Sequence, residues 1–209
     1  MAEDIDSESR HQEEFWRGPF GADYANRSSD PDFVSSNVAL FAEVLSRASE
    51  LPDTVFELGA NIGLNYLALK ALLPHLKFTG LEVNRIAADK LAGLGCESVN
   101  ESIHDFETSA TYDLVLSKGV LIHINPNLLG EVYEKLFRFS RRYILLIEYY
   151  NPTPVEINYR GHPERLFKRD FAGEMMDRFP GLKLIGCGFA YHRSNFPQDD
   201  ETWFLLEKT

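Results

Sequence analysis

The stretch Val55-Phe-Glu-Leu-Gly-Ala-Asn-Ile-Gly63 decides the fold of this chain. Its apolar start predicts a buried strand, and its glycines predict a tight turn that leads into a helix. Gly59 and Gly63 allow a positive φ and a close approach of the backbone to a ligand. A second acid, Glu82, ends the next apolar run. Strand, glycine turn, helix and acid in this order predict a nucleotide-type pocket at the carboxyl edge of a parallel sheet.

Strands and helices alternate along most of the chain. Apolar runs predict strands at 54–58, 76–81, 97–99, 112–117 and 143–148. Helical spacing predicts helices at 31–51, 63–73, 86–94, 127–139 and 171–179. Residues 182–191 and 202–206 are typical of a final antiparallel pair. The pattern predicts an α/β fold: a doubly wound, mostly parallel seven-stranded sheet with an antiparallel C-terminal edge hairpin, preceded by a helical segment around residues 13–17.

Composition excludes several classes of protein. The 209 residues carry a net charge of -11, which argues against nonspecific nucleic-acid binding. Cys96 and Cys187 lie in no metal-binding or disulfide pattern, so we expect no metal and a reducing cytoplasm. No apolar run is long enough for a membrane span, and the acidic start has no signal-peptide pattern. We therefore expect a cytoplasmic protein, a monomer or homodimer, with no membrane or nucleic-acid partner.

Three segments carry a family resemblance. Glu57–Gly63, Leu81-Glu82 and Tyr112–Ile124 resemble the first motif, the ribose-binding acid and the strand-4 motif of class I S-adenosylmethionine-dependent methyltransferases. Asn61 stands where many members have a second glycine, and asparagine tolerates the left-handed region. The resemblance spans roughly residues 50–150 and implies a Rossmann-like methyltransferase fold with S-adenosylmethionine as cofactor.

A narrower resemblance covers nearly the whole chain. Residues 14–27, 56–63 and 119–124 are similar to the pseudaminic acid biosynthesis-associated methylases. That resemblance implies a nonulosonic-acid sugar, or its precursor, as methyl acceptor. We expect residues 1–10 to be a disordered acidic tail and 11–209 to be one domain. Its parts would be a helical lid (11–50), a cofactor half (51–150) and a substrate-side insertion with edge strands (151–209).

The class I resemblance implies roles for the cofactor half. Glu57 would lie near the methionine end, and Glu82 would accept from both ribose hydroxyls. Ile103 would pack on adenine and Asp105 would accept from its amino group, although Asp105 is equally well explained as a helix N-cap or an exposed loop acid. The candidate cofactor-binding residues outside the lid are Glu57, Gly59, Asn61, Gly63, Glu82, Ser102, Ile103, Asp105, Lys118, Gly119 and Val120.

The N-terminal segment is unusually aromatic for a tail. We interpret it as a lid in which Tyr24 or Arg27 faces the methionine carboxylate, because arginine binds carboxylates through two parallel hydrogen bonds. The alternative is an aromatic cluster that closes the sheet edge, and the two interpretations are compatible.

His123 and Tyr150 are the catalytic candidates. A histidine titrates near neutrality and suits a general base, but His123 is equally well explained as a structural histidine. Polar and basic residues after the fifth strand, Asn151, Tyr159, Arg160 and Lys168, predict a site for a small polar or anionic acceptor of the sugar or nucleotide-sugar type. The alternative for these four is an ordinary polar insertion.

Three functions fit the sequence. The first is methyl transfer to an oxygen or nitrogen of the acceptor. The second is a dinucleotide-dependent oxidoreductase, which the absence of Gly-x-Gly-x-x-Gly disfavours. The third is a noncatalytic cofactor-binding or assembly protein of a sugar pathway, which would bind the cofactor without turnover.

Overall fold

The structure, a computed structural model, describes residues 12–27, 31–159 and 161–209, without the side chains of Arg27, Pro31 and residues 162–164. The predicted tail at residues 1–10 lies outside this part of the chain. The helices are α1 (residues 12–17), α2 (Pro19–Arg27), α3 (Pro31–Leu45), α4 (Leu64–Leu72), α5 (Arg85–Ala92), α6 (Leu129–Phe139) and α7 (Phe171–Arg178).

In the described part of the chain, nine strands form two sheets. They are β1 (Thr54–Leu58), β2 (Lys77–Leu81), β3 (Glu97–Val99), β4 (Tyr112–Lys118), β5 (Ser140–Glu148), β6 (Val155–Tyr159), β7 (His162–Lys168), β8 (Leu182–Ala190) and β9 (Glu201–Lys208). The main sheet has the order β3-β2-β1-β4-β5-β9-β8. Its first five strands are parallel, whereas β9 and β8 pair antiparallel. The predicted seven-stranded sheet with an antiparallel C-terminal edge is confirmed.

Both faces of the main sheet are buried, which explains the continuous apolar runs of its strands. On β1, Phe56 packs into one core cluster with residues of α6 and α7. Its neighbour Val55 packs into the opposite cluster with residues of α3, α4 and α5. Both side chains are fully buried. Helices therefore cover both faces, as the doubly wound prediction requires.

Two segments differ from the predicted elements. Helix α3 ends at Leu45 instead of residue 51, because the chain tightens into i→i+3 bonds from Arg47 N to Val44 O and from Ala48 N to Leu45 O. The insertion after β5, predicted as polar, folds as a β6–β7 hairpin whose turn contains Gly161 at φ 89°. Strand β6 is mostly exposed, and the alternation of apolar and polar residues in Val155-Glu-Ile-Asn-Tyr159 is a strand signal that the sequence interpretation did not use.

Candidate functional site

A cavity of about 450 Å³ opens at the carboxyl ends of β1, β2 and β4. The chain order in the sheet reverses between β1 and β4, and ligands of open α/β sheets bind at such switch points. Helices α1 and α2 contribute Trp16 and Tyr24 to the wall, and the β8–β9 loop contributes Gln198 and Asp199. The helical segment before β1 thus lies over the cavity, where a lid was predicted.

The turn after β1 forms the floor of the cavity. Gly59, Asn61 and Gly63 all adopt a positive φ, of 67°, 48° and 86°. A Cβ atom on Gly59 would lie 2.5 Å from Cγ2 of Val120, so only glycine fits between this turn and the β4 loop. Asn61 takes the left-handed conformation that asparagine tolerates. Gly63 is the N-cap of α4, where the helix leaves the sheet.

Glu82 stands beside that turn at the end of β2. One carboxylate oxygen accepts from Asn61 N at 2.8 Å and the other from Asn84 N at 2.7 Å. Burial nevertheless raises the pKa of Glu82. The carboxylate is fixed by backbone on both sides, and each oxygen keeps lone pairs for further donors. That geometry suits recognition of two neighbouring hydroxyl groups.

Glu57 lies behind the cavity wall rather than in it. Its side chain is 1% exposed, and Asn65, which lines the cavity, donates to Oε1 at 2.5 Å. Oε2 has no hydrogen-bond partner among the described residues. Burial raises the pKa of Glu57 to about 8. An unsatisfied buried carboxylate oxygen at this position is what a bound cationic donor would satisfy.

The loop after β4 is held from below by Glu148, which sequence reasoning did not single out. Oε1 of Glu148 accepts from Ser117 Oγ at 2.8 Å, Leu121 N at 3.1 Å and Val120 N at 3.2 Å. Burial raises the pKa of Glu148 to about 7. No local motif marks this residue, since its partners precede it by 27 to 31 residues.

At the end of β4, Lys118 lines the cavity and forms a buried ion pair. Its Nζ lies 2.7 Å from Oε2 of Glu201, the first residue of β9. Burial opposes the charge of Lys118, but the Glu201 carboxylate outweighs burial and raises the Lys118 pKa. Gly119 follows at φ 65°. The positive charge of Lys118 is therefore neutralised within the protein.

His123 lines the cavity at the end of the 3₁₀ turn Leu121–His123. Its Nδ1 lies 2.5 Å from the Arg165 carbonyl oxygen, which can only accept, so Nδ1 carries the hydrogen and Nε2 keeps a lone pair. Its ring contacts Trp16 at 4.7 Å and Tyr159 at 5.1 Å between centroids. Burial lowers the His123 pKa to about 4, so the ring is neutral at physiological pH.

The aromatic residues of α1 and α2 pack against one another over the cavity. Trp16 contacts Tyr24 edge-on at 5.7 Å, and the Asn84 amide donates to Trp16 O at 2.9 Å. Burial, first of all, raises the pKa of Tyr24. Arg27 ends α2, but its side chain lies outside the described residues. The lid is thus tied to the loop that carries Glu82.

The loop between β3 and β4 forms the far wall. Ile103 lines the cavity, Ser102 is buried beneath it, and Asp105 is exposed outside it. Lys135 of α6, itself 5% exposed, donates to the carbonyls of Ile103 at 2.8 Å, His104 at 2.6 Å and Phe106 at 3.2 Å. Sequence reasoning missed Lys135, which determines the path of this loop.

Most candidates after β5 lie away from this cavity. Tyr150 is 40% exposed and packs against Phe204. Asn151 donates to its own loop at Thr153 O, and Lys168 lies 5.0 Å from the Tyr149 ring. Tyr159 reaches the site through its contact with the His123 ring. Arg160 lies outside the described residues.

Across the described ranges, no group of three or more His, Cys, Asp or Glu side chains is arranged to hold a metal ion. Within the same ranges, no helix has the length and apolarity needed to cross a membrane.

No protein-family model and no curated protein matches the chain. The plantazolicin methyltransferase BpumL, in complex with a pentazolic desmethylPZN analog and SAH, is 12% identical with a TM-score of 0.68 over 99% of this chain and 98% of its own. Magnesium protoporphyrin IX methyltransferase (ChlM) from Synechocystis PCC 6803 with bound SAH is 10% identical, with a TM-score of 0.71 over 96% and 99%.

A third similar structure is the mitomycin 7-O-methyltransferase MmcR. It is 15% identical, with a TM-score of 0.62 over 94% of this chain and 60% of its own. At these identities the likeness establishes the fold: the chain has the Rossmann-like fold that these methyltransferases share.

Proposed function

We propose that this protein transfers a methyl group from S-adenosylmethionine to an oxygen or nitrogen atom of a small polar acceptor. The observation that carries the proposal is the Glu82 carboxylate, fixed by Asn61 N and Asn84 N beside a left-handed glycine turn at the switch point of the sheet. The fold likeness to methyltransferases crystallised with SAM or SAH supports it.

The residues present fit this cofactor. When bound, S-adenosylmethionine supplies a methyl group already activated by a positively charged sulfonium. Glu82 would accept from the ribose hydroxyls, and Ile103 would pack against adenine. Gly59 lines the cavity, and without a side chain it would let the ligand approach the backbone closely. Asn65, which lines the cavity, would meet the amino-acid end, and Glu57 behind it would supply the unsatisfied Oε2 that suits an ammonium group.

The protein's own contribution to methyl transfer is chiefly orientation and exclusion of water. Lys118, Gly119 and His123 bound the end of the cavity beside β4, where the acceptor would lie. His123 Nε2 can take a proton from an acceptor hydroxyl, but with its pKa lowered to about 4 the ring is a weak base. We therefore propose that His123 mainly orients the acceptor through a hydrogen bond.

We propose the methyl acceptor at two degrees of detail, a broad chemical class and a narrower one. A small polar molecule is the broader proposal, and it is supported by His123, Lys118 and Asp199 in the cavity wall. A nonulosonic-acid sugar or its precursor is the narrower proposal, and it is supported by the sequence resemblance alone. Acceptor trials with such sugars therefore follow cofactor binding.

Calorimetric titration with S-adenosylmethionine, S-adenosylhomocysteine and NAD tests the proposal. We expect micromolar binding of the two sulfur ligands, about -8 kcal/mol, and none of NAD. Binding of NAD alone would favour an oxidoreductase. Binding of neither sulfur ligand would contradict the proposal. Methyl transfer from labelled cofactor to a nonulosonic sugar would then distinguish an enzyme from a noncatalytic binding protein.

A further inference from the structure

Four side chains form a chain of hydrogen bonds along one wall of the cavity. Gln198 Nε2 donates to Asn37 Oδ1 at 3.0 Å, and Asn37 Nδ2 donates to Asn65 Oδ1 at 2.9 Å. Asn65 Nδ2 then donates to Glu57 Oε1 at 2.5 Å. We name Gln198, Asn37, Asn65 and Glu57 the amide relay.

The amide relay joins parts of the chain that are remote in sequence. Gln198 lies in the β8–β9 loop, Asn37 on α3, Asn65 on α4 and Glu57 on β1. The three amides line the cavity, whereas Glu57 lies behind it. Asn37 is 6% exposed and Glu57 is 1% exposed, so water does not substitute freely for these bonds.

The relay also has a direction. In the ligand-bound state that we propose, the ammonium group of the cofactor keeps Glu57 ionised. A carboxylate can only accept, which forces Asn65 to turn its amide nitrogen toward Glu57 and its oxygen toward Asn37. Asn37 must then donate to Asn65 and present its own oxygen to Gln198. Each amide orientation thus determines the next, from the buried carboxylate out to the loop.

We infer that Asn37 and Gln198 are positioning residues, which orient the Asn65 amide and the Glu57 carboxylate toward the amino-acid end of the cofactor. This inference rests on the proposed function. Through Gln198, the β8–β9 loop takes part in cofactor recognition. The position of this loop and the orientation of the Asn65 amide therefore depend on each other. The unsatisfied Oε2 of Glu57 marks the place where the ligand completes the relay.

Replacing an amide of the relay by the acid of the same size reverses the direction of its hydrogen bonds without changing the side-chain volume. In Gln198→Glu the new carboxylate can only accept, so Asn37 must turn its nitrogen toward the loop. Asn65 then turns its oxygen toward Glu57, and two acceptors oppose each other. Asn37→Asp has the same effect directly on Asn65, because the new carboxylate accepts from the Asn65 nitrogen and turns the Asn65 oxygen toward Glu57. The control is Asn195→Asp, which makes the same charge change at an exposed site of the same loop, away from the cavity.

The test compares two ligands that differ at one end. S-adenosylhomocysteine carries the amino-acid end, whereas 5′-methylthioadenosine has the same adenine and ribose without it. Calorimetry gives the Kd of each ligand for the wild type, the two relay variants and the control. We expect Gln198→Glu and Asn37→Asp to raise the Kd of S-adenosylhomocysteine roughly tenfold. The Kd of 5′-methylthioadenosine for these variants, and both Kd values for the control, should stay at wild-type values.

Two other outcomes overturn the inference and are distinguishable. Equal loss of both ligands, or no loss of either, in folded relay variants would mean that the relay is only structural. Failure of the wild type to bind S-adenosylhomocysteine would overturn the proposed function itself, and the inference with it. Circular dichroism of each variant shows that the fold is retained.

Discussion

Glu82 shows how a single side chain connects the turn after β1 to the loop after β2. Because both of its oxygens accept backbone N–H groups, no amide can replace it without placing NH₂ against N–H. We expect Glu82→Gln to weaken S-adenosylhomocysteine binding by about 1–3 kcal/mol, the cost of an unsatisfied buried donor plus a lost acceptor. Calorimetry measures the change.

The exposed variant Glu43→Gln is the matched control for this substitution, because it removes the same charge far from the cavity. Equal affinity of Glu82→Gln and the wild type for S-adenosylhomocysteine would remove Glu82 from the ligand site.

At His123 the structure favours one tautomer and one charge state. Burial lowers the pKa to about 4, and the Arg165 carbonyl fixes the hydrogen on Nδ1. We expect the nitrogen signals of this ring to show a neutral, Nδ1-protonated imidazole from pH 8 to about pH 5. Nitrogen NMR against His123→Gln, which assigns the signal, measures this. A midpoint near 6.5 would show that the ring is solvated.

Helix α6 supports the wall of the cavity through one lysine. Lys135 Nζ donates to three carbonyls of the β3–β4 loop, and its charge also lies 3.2 Å from Glu107. We expect Lys135→Met to keep the packing of the stem but to lower the free energy of unfolding by about 2–4 kcal/mol, since buried carbonyls lose their donor. Urea denaturation measures the loss.

Lys135→Met should also affect ligand binding, because Lys135 fixes the path of the β3–β4 loop. We expect weaker 5′-methylthioadenosine binding, because Ile103 loses its fixed position beside the proposed adenine site. The exposed variant Lys183→Met on β8 is the control for loss of a lysine. Unchanged stability and unchanged affinity would mean that the loop holds its path without Lys135.

Elements with a buried face could be predicted from the sequence, and exposed or long-range features could not. Strands β1 and β4 are apolar on both faces, so their runs are continuous and easily recognised. Strand β6 is mostly exposed and has only a five-residue alternation instead of a continuous apolar run, so it was not recognised, and α2 was interpreted only as part of an aromatic lid. Glu82 follows its strand directly, whereas Lys135 and Glu148 act on residues some 30 positions away.

At the scale of the whole molecule, three buried titratable groups make contributions of opposite sign to the pH dependence of stability. Glu57 and Glu148 have pKa values raised by burial to about 8 and about 7, from a usual value of 4.5. The folded state therefore keeps their protons longer than the unfolded state, and stability falls as pH rises toward those values. His123, with a pKa of about 4 instead of 6.5, makes stability rise with pH between those two values.

Above pH 7 the contribution of Glu57 to the pH dependence of stability can be distinguished from those of His123 and Glu148. There His123 is mostly neutral in both states and Glu148 loses its remaining proton as pH approaches 8, so Glu57 is expected to contribute most to the fall in stability of the ligand-free protein near pH 8. The slope should approach about 1.4 kcal/mol per pH unit at most between pH 7 and 8. Glu57→Gln stays neutral and can still accept from Asn65, so its stability should fall less steeply than that of the wild type over that interval. Urea denaturation at half-unit pH steps, with Glu43→Gln as control, measures both slopes. A decline in Glu57→Gln as steep as in the wild type would mean that Glu57 is ionised throughout and that another group carries the dependence.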